Sequence, residues 1–299
     1  MKKQLLKMYY KVLDVNDKLT ILYNKNIVSK KDRPKVKNTD ETLEKIINEK
    51  CSISRFGDGE FSLIYNKSLK FQPRNDELIK RLKEILKSEE KKHIVCIPNT
   101  FGDMEWATEK AKLYWAKYLN LNRSKIYKIL RMNKIYYDAL VTRLYIDLKD
   151  KSEIANRFEK IKLIWNERDI VIVEGEKSRL GIGNDLFDSA KSIERIICPS
   201  INAYSKYNDI FKEVNKQDKS KLILIALGPT ATVLSYDLAK KGYQSIDIGH
   251  IDVEYEWFLK GVSEKCIVKN KYMGEVEGGS EVNECNSYEY HNQIISIIK

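Results

Sequence analysis

Apolar and polar residues follow two periods along this chain, and the switches between them lay out a series of helices and strands. Within residues 4–24, Leu5, Leu6, Met8, Tyr9, Val12, Leu13, Leu19 and Leu22 fall at helical spacing and predict an amphipathic helix or helical pair. The polar run at 29–34 reads as a linker, because Pro34 restricts the residue before it. Asn38 or Thr39 is placed to cap a helix running to about Lys50, with Leu43, Ile46 and Ile47 on its inner face. Strands are then expected at 52–56, 93–97, 169–173, 193–198, 222–227 and 244–248. Between them lie expected helices: one capped by Asn75, then 104–119, 152–165, 203–214 and 231–240.

Strands alternating with helices predict an α/β fold with a mostly parallel sheet flanked by helices. Unbroken apolar runs such as 170–173 suit strands covered on both faces. After Ser263 the rhythm is lost; the tail is polar, contains Gly274, Gly278 and Gly279, and ends in an apolar patch at 294–298. It reads as a peripheral extension.

Composition narrows the class. With 42% hydrophobic and 32% charged residues, the chain is a globular protein with a substantial core. Its longest apolar run, 222–227, is too short to cross a bilayer, and Asp14, Asn16 and Asp17 interrupt the basic N-terminus before any long apolar region, so no secretory signal is expected. The five cysteines form no C-x-x-C pair, and the three histidines are scattered. That favours reduced cysteines in the cytoplasm over a disulfide framework or a zinc site. The net charge of +11 attracts anions such as a phosphorylated substrate or an acidic surface. Thirteen Lys/Arg against seven Asp/Glu fall in the first fifty residues, which a solvated surface or peripheral contact with a membrane or acidic partner explains equally well. No nucleic-acid reading module is present among the basic residues.

Ligands of open parallel sheets bind beyond the carboxyl ends of the strands, so the loops there carry the candidate chemistry. In Arg55-Phe56-Gly57-Asp58-Gly59-Glu60, Gly57 and Gly59 let the backbone approach a ligand, and Asp58 and Glu60 share a side if the segment is extended. Such a pair suits Mg²⁺ or Mn²⁺ completed by substrate phosphates, with Arg55 as a phosphate fork; a plain turn is the alternative. Glu174-Gly175-Glu176-Lys177-Ser178-Arg179-Leu180-Gly181, expected to lead into a helix, offers Lys177, Ser178 and Arg179 to a diphosphate. Gly228-Pro229-Thr230 opens a helix whose free N–H groups suit an anion or nucleotide. Asn99 and Thr100 follow a further strand and are placed to meet a base or sugar. In Asp247–Trp257, alternation puts His250, Asp252, Glu254 and Glu256 on one side if the segment is extended, as metal ligands or a general base.

Ser54-Arg55-Phe56-Gly57-Asp58-Gly59-Glu60-Phe61 resembles the DxE-containing signature of the GT-D-type glycosyltransferases, a family of streptococcal adhesin and polysaccharide glycosylation. The likeness continues through Trp106-Ala107, Thr142-Arg143, Trp165, Glu174-Gly175-Glu176, Gly228-Pro229-Thr230 and Asp247-Ile248-Gly249-His250. It implies a Rossmann-like fold, a nucleotide-sugar donor, UDP-linked such as UDP-glucose, and a divalent cation, Mn²⁺ or Mg²⁺. It makes Asp58 and Glu60 the DxE pair serving metal and diphosphate, with Glu256 as a further candidate ligand. Glu174, Lys177, Ser178, Arg179, Gly228, Pro229, Thr230, His250 and Asn99 would complete the walls with Arg55, Gly57 and Gly59. An acceptor hydroxyl on a glycoprotein or cell-surface polysaccharide precursor would attack the anomeric carbon, with Asp252 or Glu254 as base if the reaction inverts. The alternatives are another nucleotide-handling α/β enzyme or a basic scaffold in a glycosylation complex. The expected division is an N-terminal helical extension at 1–38, the glycosyltransferase domain at 39–262 and a peripheral extension at 263–299. The likeness assigns no role to either extension.

Overall fold

Among the described residues, nine strands lie side by side in one parallel sheet in the order β1-β4-β3-β2-β8-β7-β5-β6-β9. The computed structural model describes residues 2–30 and 32–299, and the side chains of 11–27 and 32–299. Its strands are β1 (Lys35–Val36), β2 (Ser52–Arg55), β3 (His93–Ile97), β4 (Ile135–Asp138), β5 (Asp169–Gly175), β6 (Ser192–Cys198), β7 (Leu222–Ala226), β8 (Gln244–Asp247) and β9 (Ile294–Ile297). The α/β class and the parallel sheet expected from the alternating pattern are found.

Strand β5 explains why its run is apolar throughout. Ile170 and Ile172 pack into one core and Val171 and Val173 into another, on opposite faces of the sheet. Leu222 and Leu224 of β7 likewise divide from Ile223 and Ile225. The first face is covered by α2 (Thr39–Glu49), α6 (Ile154–Lys162) and α9 (Ile251–Leu259). The other is covered by α3 (Asp58–Ile64), α4 (Asp76–Leu86), α5 (Glu109–Ile129), α7 (Tyr207–Val214) and α8 (Pro229–Lys240). Local chemistry sets several helix starts. Asn38 and Glu41 form a reciprocal capping box at α2, Asn75 accepts from Leu78 N at 2.9 Å, and Thr108 caps α5.

The structure departs from the sequence expectations at both ends. Helix α1 runs Lys2–Lys30 through the start of the expected linker; Lys31 of that linker, and the side chains of Leu5, Leu6, Met8 and Tyr9, lie outside the described residues. The tail is not peripheral: β9 pairs in parallel with β6, and Val268 and Met273 are buried in the main core. Strands β1 and β4, absent from the sequence reading, complete the other edge. The sheet turns direction near its middle: β2, β3 and β4 step one way from β8, while β5 and β6 step the other. A crevice beyond the carboxyl ends follows from that reversal.

Candidate active site

That crevice is a cavity of about 690 Å³. Its walls include the ends of seven strands, through Arg55, Pro98, Ala139, Gly175, Pro199, Ala226 and Asp247. Helices α3, α5 and α9, the loops that carry Phe71, Arg143, Ser178, Gly228 and His250, and the segment 263–275 supply further wall residues.

Arg55 anchors the centre. Its Nε donates to the carbonyl of Asp247 at 2.8 Å, its Nη2 to Asp247 Oδ1 at 2.9 Å and its Nη1 to the carbonyl of Ala139 at 3.2 Å. One guanidinium therefore ties the ends of β2, β8 and β4 together. Gly249 makes room for it: its φ is +52°, and a Cβ there would sit 1.8 Å from Arg55 Nη2.

Asp58 and Glu60 both line the cavity, but their segment is helical rather than extended. Two residues apart on a helix, their carboxylates diverge. Asp58 accepts from the Tyr114 hydroxyl, while Glu60 turns back to accept from the N–H of Gly57 at 2.7 Å. Burial, with the charges of Asp247 and Asp58, pushes the Glu60 carboxyl up to about 7 against the opposing Gly57 bond.

The carboxylates of α9 also diverge, because 251–259 is helical where alternation suggested an extended segment. Asp252 and Glu256, one turn apart, share Asn184 Nδ2 at 2.8 Å each and the Lys271 ammonium at 2.6 and 3.4 Å. Asp252 lines the cavity and also accepts from the N–H of Gly181 at 2.9 Å; Glu256 does not line it and pairs further with Lys260. Glu254 faces the other way, fully buried, accepting from the N–H groups of Tyr145 and Ile146 at 3.0 and 2.9 Å and facing Arg143 at 3.4 Å. Both its oxygens are engaged in holding the chain after β4, which removes it as an acceptor's base. Glu256 is likewise removed from a metal set with Asp58 and Glu60.

The loop after β5 leads into turns rather than a helix, so no helix N-terminus meets a diphosphate there. Ser178 lines the cavity, whereas Glu174 is a buried partner of Arg195 at 2.6 Å. Arg179 points to the tail, donating to the carbonyls of Asn270 and Asn283 at 3.0 and 2.6 Å. Lys177, like Asn99, does not line the cavity. Gly228 does, with φ +54° and Phe71 packed where a Cβ would stand; Pro229 and Thr230 behind it are buried in the first turn of α8.

Several cavity residues escaped the sequence reading. Arg143, Lys265 and Glu275 form one charged cluster with His250, which was expected in the wall; Lys265 lies 2.6 Å from Glu275. Burial pushes the Glu275 carboxyl up, but Arg143, His250 and Lys265 more than offset it and hold it well below the usual carboxylate range. His250, facing the cavity, is depressed to about 4 by loss of water, opposed by Glu275 and reinforced by Arg143, Arg55 and Lys265. Across the cavity, Lys110 of α5 reaches Glu264 at 3.5 Å. Asp147 stands out among the wall's carboxylates: it lines the cavity with no hydrogen bond or ion pair to its side chain among the described residues. Of the residues missed, only Arg143 carried a sequence signal, as part of Thr142-Arg143; the others sit in segments without a motif.

Among the described residues no group of three or more His, Cys, Asp or Glu side chains is arranged to hold a metal ion by itself. The donor chemistry of Asp58 and Glu60 still fits a hard cation, because such ions are commonly held by one or two carboxylates and completed by substrate phosphates and water. No helix among the described residues is long and apolar enough to cross a membrane.

Comparison with known proteins gives a consistent result. The family model for the glycosyltransferase GT-D fold matches residues 53–276. The chain is 40% identical over 264 residues to the glycosyltransferase GlyD of Streptococcus pneumoniae serotype 4, covering 88% of this chain and 32% of that protein. It is 40% identical over 258 residues to the probable glycosyl transferase Gly of Streptococcus gordonii, covering 86% and 38%. The chain thus spans about a third of the length of the curated relatives it matches. A solved glycosyltransferase from Streptococcus sanguinis superposes with a TM-score of 0.86 at 39% identity, over 89% of this chain and all of that one. A second structure, described as a conserved domain with a distinct glycosyltransferase fold, gives 0.86 at 39% identity over 93% of this chain.

Proposed function

The chain belongs to the GT-D-fold family of glycosyltransferases, and on that premise we propose that it transfers a sugar from a UDP-linked donor to a hydroxyl of a glycan acceptor, on a glycoprotein or a cell-surface polysaccharide precursor. The observation that carries this reading is the cavity beyond the strand ends, with Arg55 at its centre and Asp58 and Glu60 in its wall. A donor seated there would place its diphosphate near Arg55 and the first turn of α3. Asp58 and Glu60 would hold a divalent cation that neutralises charge on the departing nucleoside diphosphate. Arg55 stays fixed by Asp247 and Ala139, so it contributes its charge without reorganising as the bond breaks.

A transfer that inverts the anomeric carbon needs a carboxylate to take the acceptor's proton. Asp252 is held by Lys271, Asn184 and Gly181, and Glu254 is engaged away from the cavity. Asp147 is therefore our choice for that role. The cavity walls at Tyr114, Trp115 and Phe71 offer ring faces to a sugar. The free state of the described cysteines, three of them buried, suits work in the reducing cytoplasm.

A thermal-shift screen of nucleotide sugars with and without Mn²⁺ tests the reading, since a ligand of the folded state alone raises its melting temperature. A UDP-sugar that stabilises the chain more with Mn²⁺ than without is the expected result. Indifference to every nucleotide sugar, with or without metal, would count against it.

A further inference from the structure

Helix α1 carries a surface unrelated to the cavity. Counting Leu5 as position a of a seven-residue repeat, the a and d positions through Leu22 are Leu5, Met8, Val12, Val15, Leu19 and Leu22, all apolar. The side chains of Leu5 and Met8 lie outside the described residues, but Val12, Val15, Leu19 and Leu22 are 66%, 55%, 58% and 55% exposed. The opposite edge of the helix, position f, is what docks on the domain. There Asp17 pairs with Lys117 of α5 at 2.7 Å, and buried Asn24 accepts from Arg123 of α5. Helix α1 is thus fixed by its back, and the seam from Val12 to Leu22 faces solvent.

The flanks of the seam narrow the choice of partner. Position g is Gln4 and then lysine, at Lys11, Lys18 and Lys25, the last of these lying past the seam's final apolar residue, Leu22. Position e is uncharged, at Tyr9, Asn16 and Tyr23. Two copies paired in parallel set each g position against the e position of the next repeat. Along the described part of the seam Lys11 then meets Asn16 and Lys18 meets Tyr23, and a cation over an aromatic ring is attractive. Antiparallel pairing would set lysine against lysine. The a and d positions are apolar without exception from Leu5 to Leu22, which is the repeat of paired helices, and exposed Leu13 and Tyr23 widen the face beside them. We propose that α1 pairs in parallel with α1 of a second copy of this chain, joining two copies of the cavity-bearing domain side by side.

Light scattering of the full chain over a dilution series in the micromolar range tests this. Twice the 35.0 kDa chain mass is expected, falling to the single-chain mass when Val15→Glu and Leu19→Glu are combined. Because both side chains are exposed, the double variant should keep its circular dichroism and melting temperature, so loss of the dimer will not reflect unfolding. In a parallel pair the two copies of residue 15 lie side by side, and Val15→Cys should give an oxidised, disulfide-linked dimer that the unsubstituted chain does not. A single-chain mass at every concentration would overturn the proposal. So would a dimer that survives the double substitution, or one that Val15→Cys fails to cross-link. A chain that stays single in solution yet pellets with phosphatidylglycerol vesicles through the seam would assign the helix to lipid instead.

Discussion

His93 has one ring nitrogen satisfied and one that binds nothing among the described residues. The Ser54 hydroxyl gives its hydrogen to the carbonyl of Thr232 at 2.6 Å, so its oxygen accepts from His93 Nε2 at 2.8 Å. Nδ1 is then a buried acceptor without a partner there. Protonating it would bury a charge, and burial, with Lys134 nearby, depresses His93 to about 3. The folded pKa lies below the unfolded value, so between the two the unfolded chain binds the extra proton. Stability is therefore lost as pH falls below about 6.5, at about 1.4 kcal/mol per pH unit. Urea denaturation at pH 7 and pH 5 should show His93 contributing a loss of about 2 kcal/mol. His93→Phe should remove that part of the slope. Gly249 makes a second prediction at this scale. With φ +52° and Arg55 in the space of a Cβ, Gly249→Ala must displace the guanidinium and strand the buried Asp247. We expect a loss of about 3 kcal/mol in urea denaturation.

At the scale of elements, what the sequence disclosed depended on length and on how many faces are buried. The runs at 93–97, 170–173 and 222–227 are buried on both sides and could be read directly. Strands β1 and β4 are short edge-side pieces with few aliphatic residues, and β9, though rich in isoleucine, is four residues long and follows a polar tail, so its patch did not read as a strand. Helix α3 has seven residues, and the glycines at its N-cap and second position, Gly57 and Gly59, looked like a turn. Helix α9 alternates apolar and acidic residues, yet Ile251, Val253, Tyr255 and Trp257 are all buried, together with Asp252 and Glu254. A helix buried around most of its circumference loses the periodicity that would identify it. That misreading put Glu254 beside Asp252, where the helix turns it to the backbone of Tyr145 and Ile146. Glu254→Ala should cost about 3 kcal/mol of stability, by leaving those N–H groups and Arg143 without their buried acceptor. In a transfer assay, Glu254→Gln should stay within roughly a few-fold of the parent, while Asp147→Asn should lose about a hundredfold or more in turnover.

For the whole molecule, the location of the site was legible because parallel sheets bind ligands at one end, and Arg55, Gly57, Asp58, Gly59, Glu60, Ser178, Gly228, His250 and Asp252 do line the cavity. The far wall was not legible. Lys265, Tyr272 and Glu275 come from a segment without regular structure, brought in by long-range contacts such as Arg179 to Asn270 and Lys271 to Asp252. No local pattern encodes such contacts. A chain ending after Val262 would lose that wall, the Lys271 ammonium that pairs with Asp252, and strand β9. It should melt at a lower temperature and bind no donor. The central claim, that this cavity holds a nucleotide sugar through a cation at α3, is tested most directly by calorimetry of UDP with Mn²⁺. The account predicts binding to the parent chain that weakens by about tenfold or more, roughly 1.4 kcal/mol, in both Asp58→Asn and Glu60→Gln. Equal affinity in the parent and both variants, or no binding of UDP to the parent at any Mn²⁺ concentration, would contradict it.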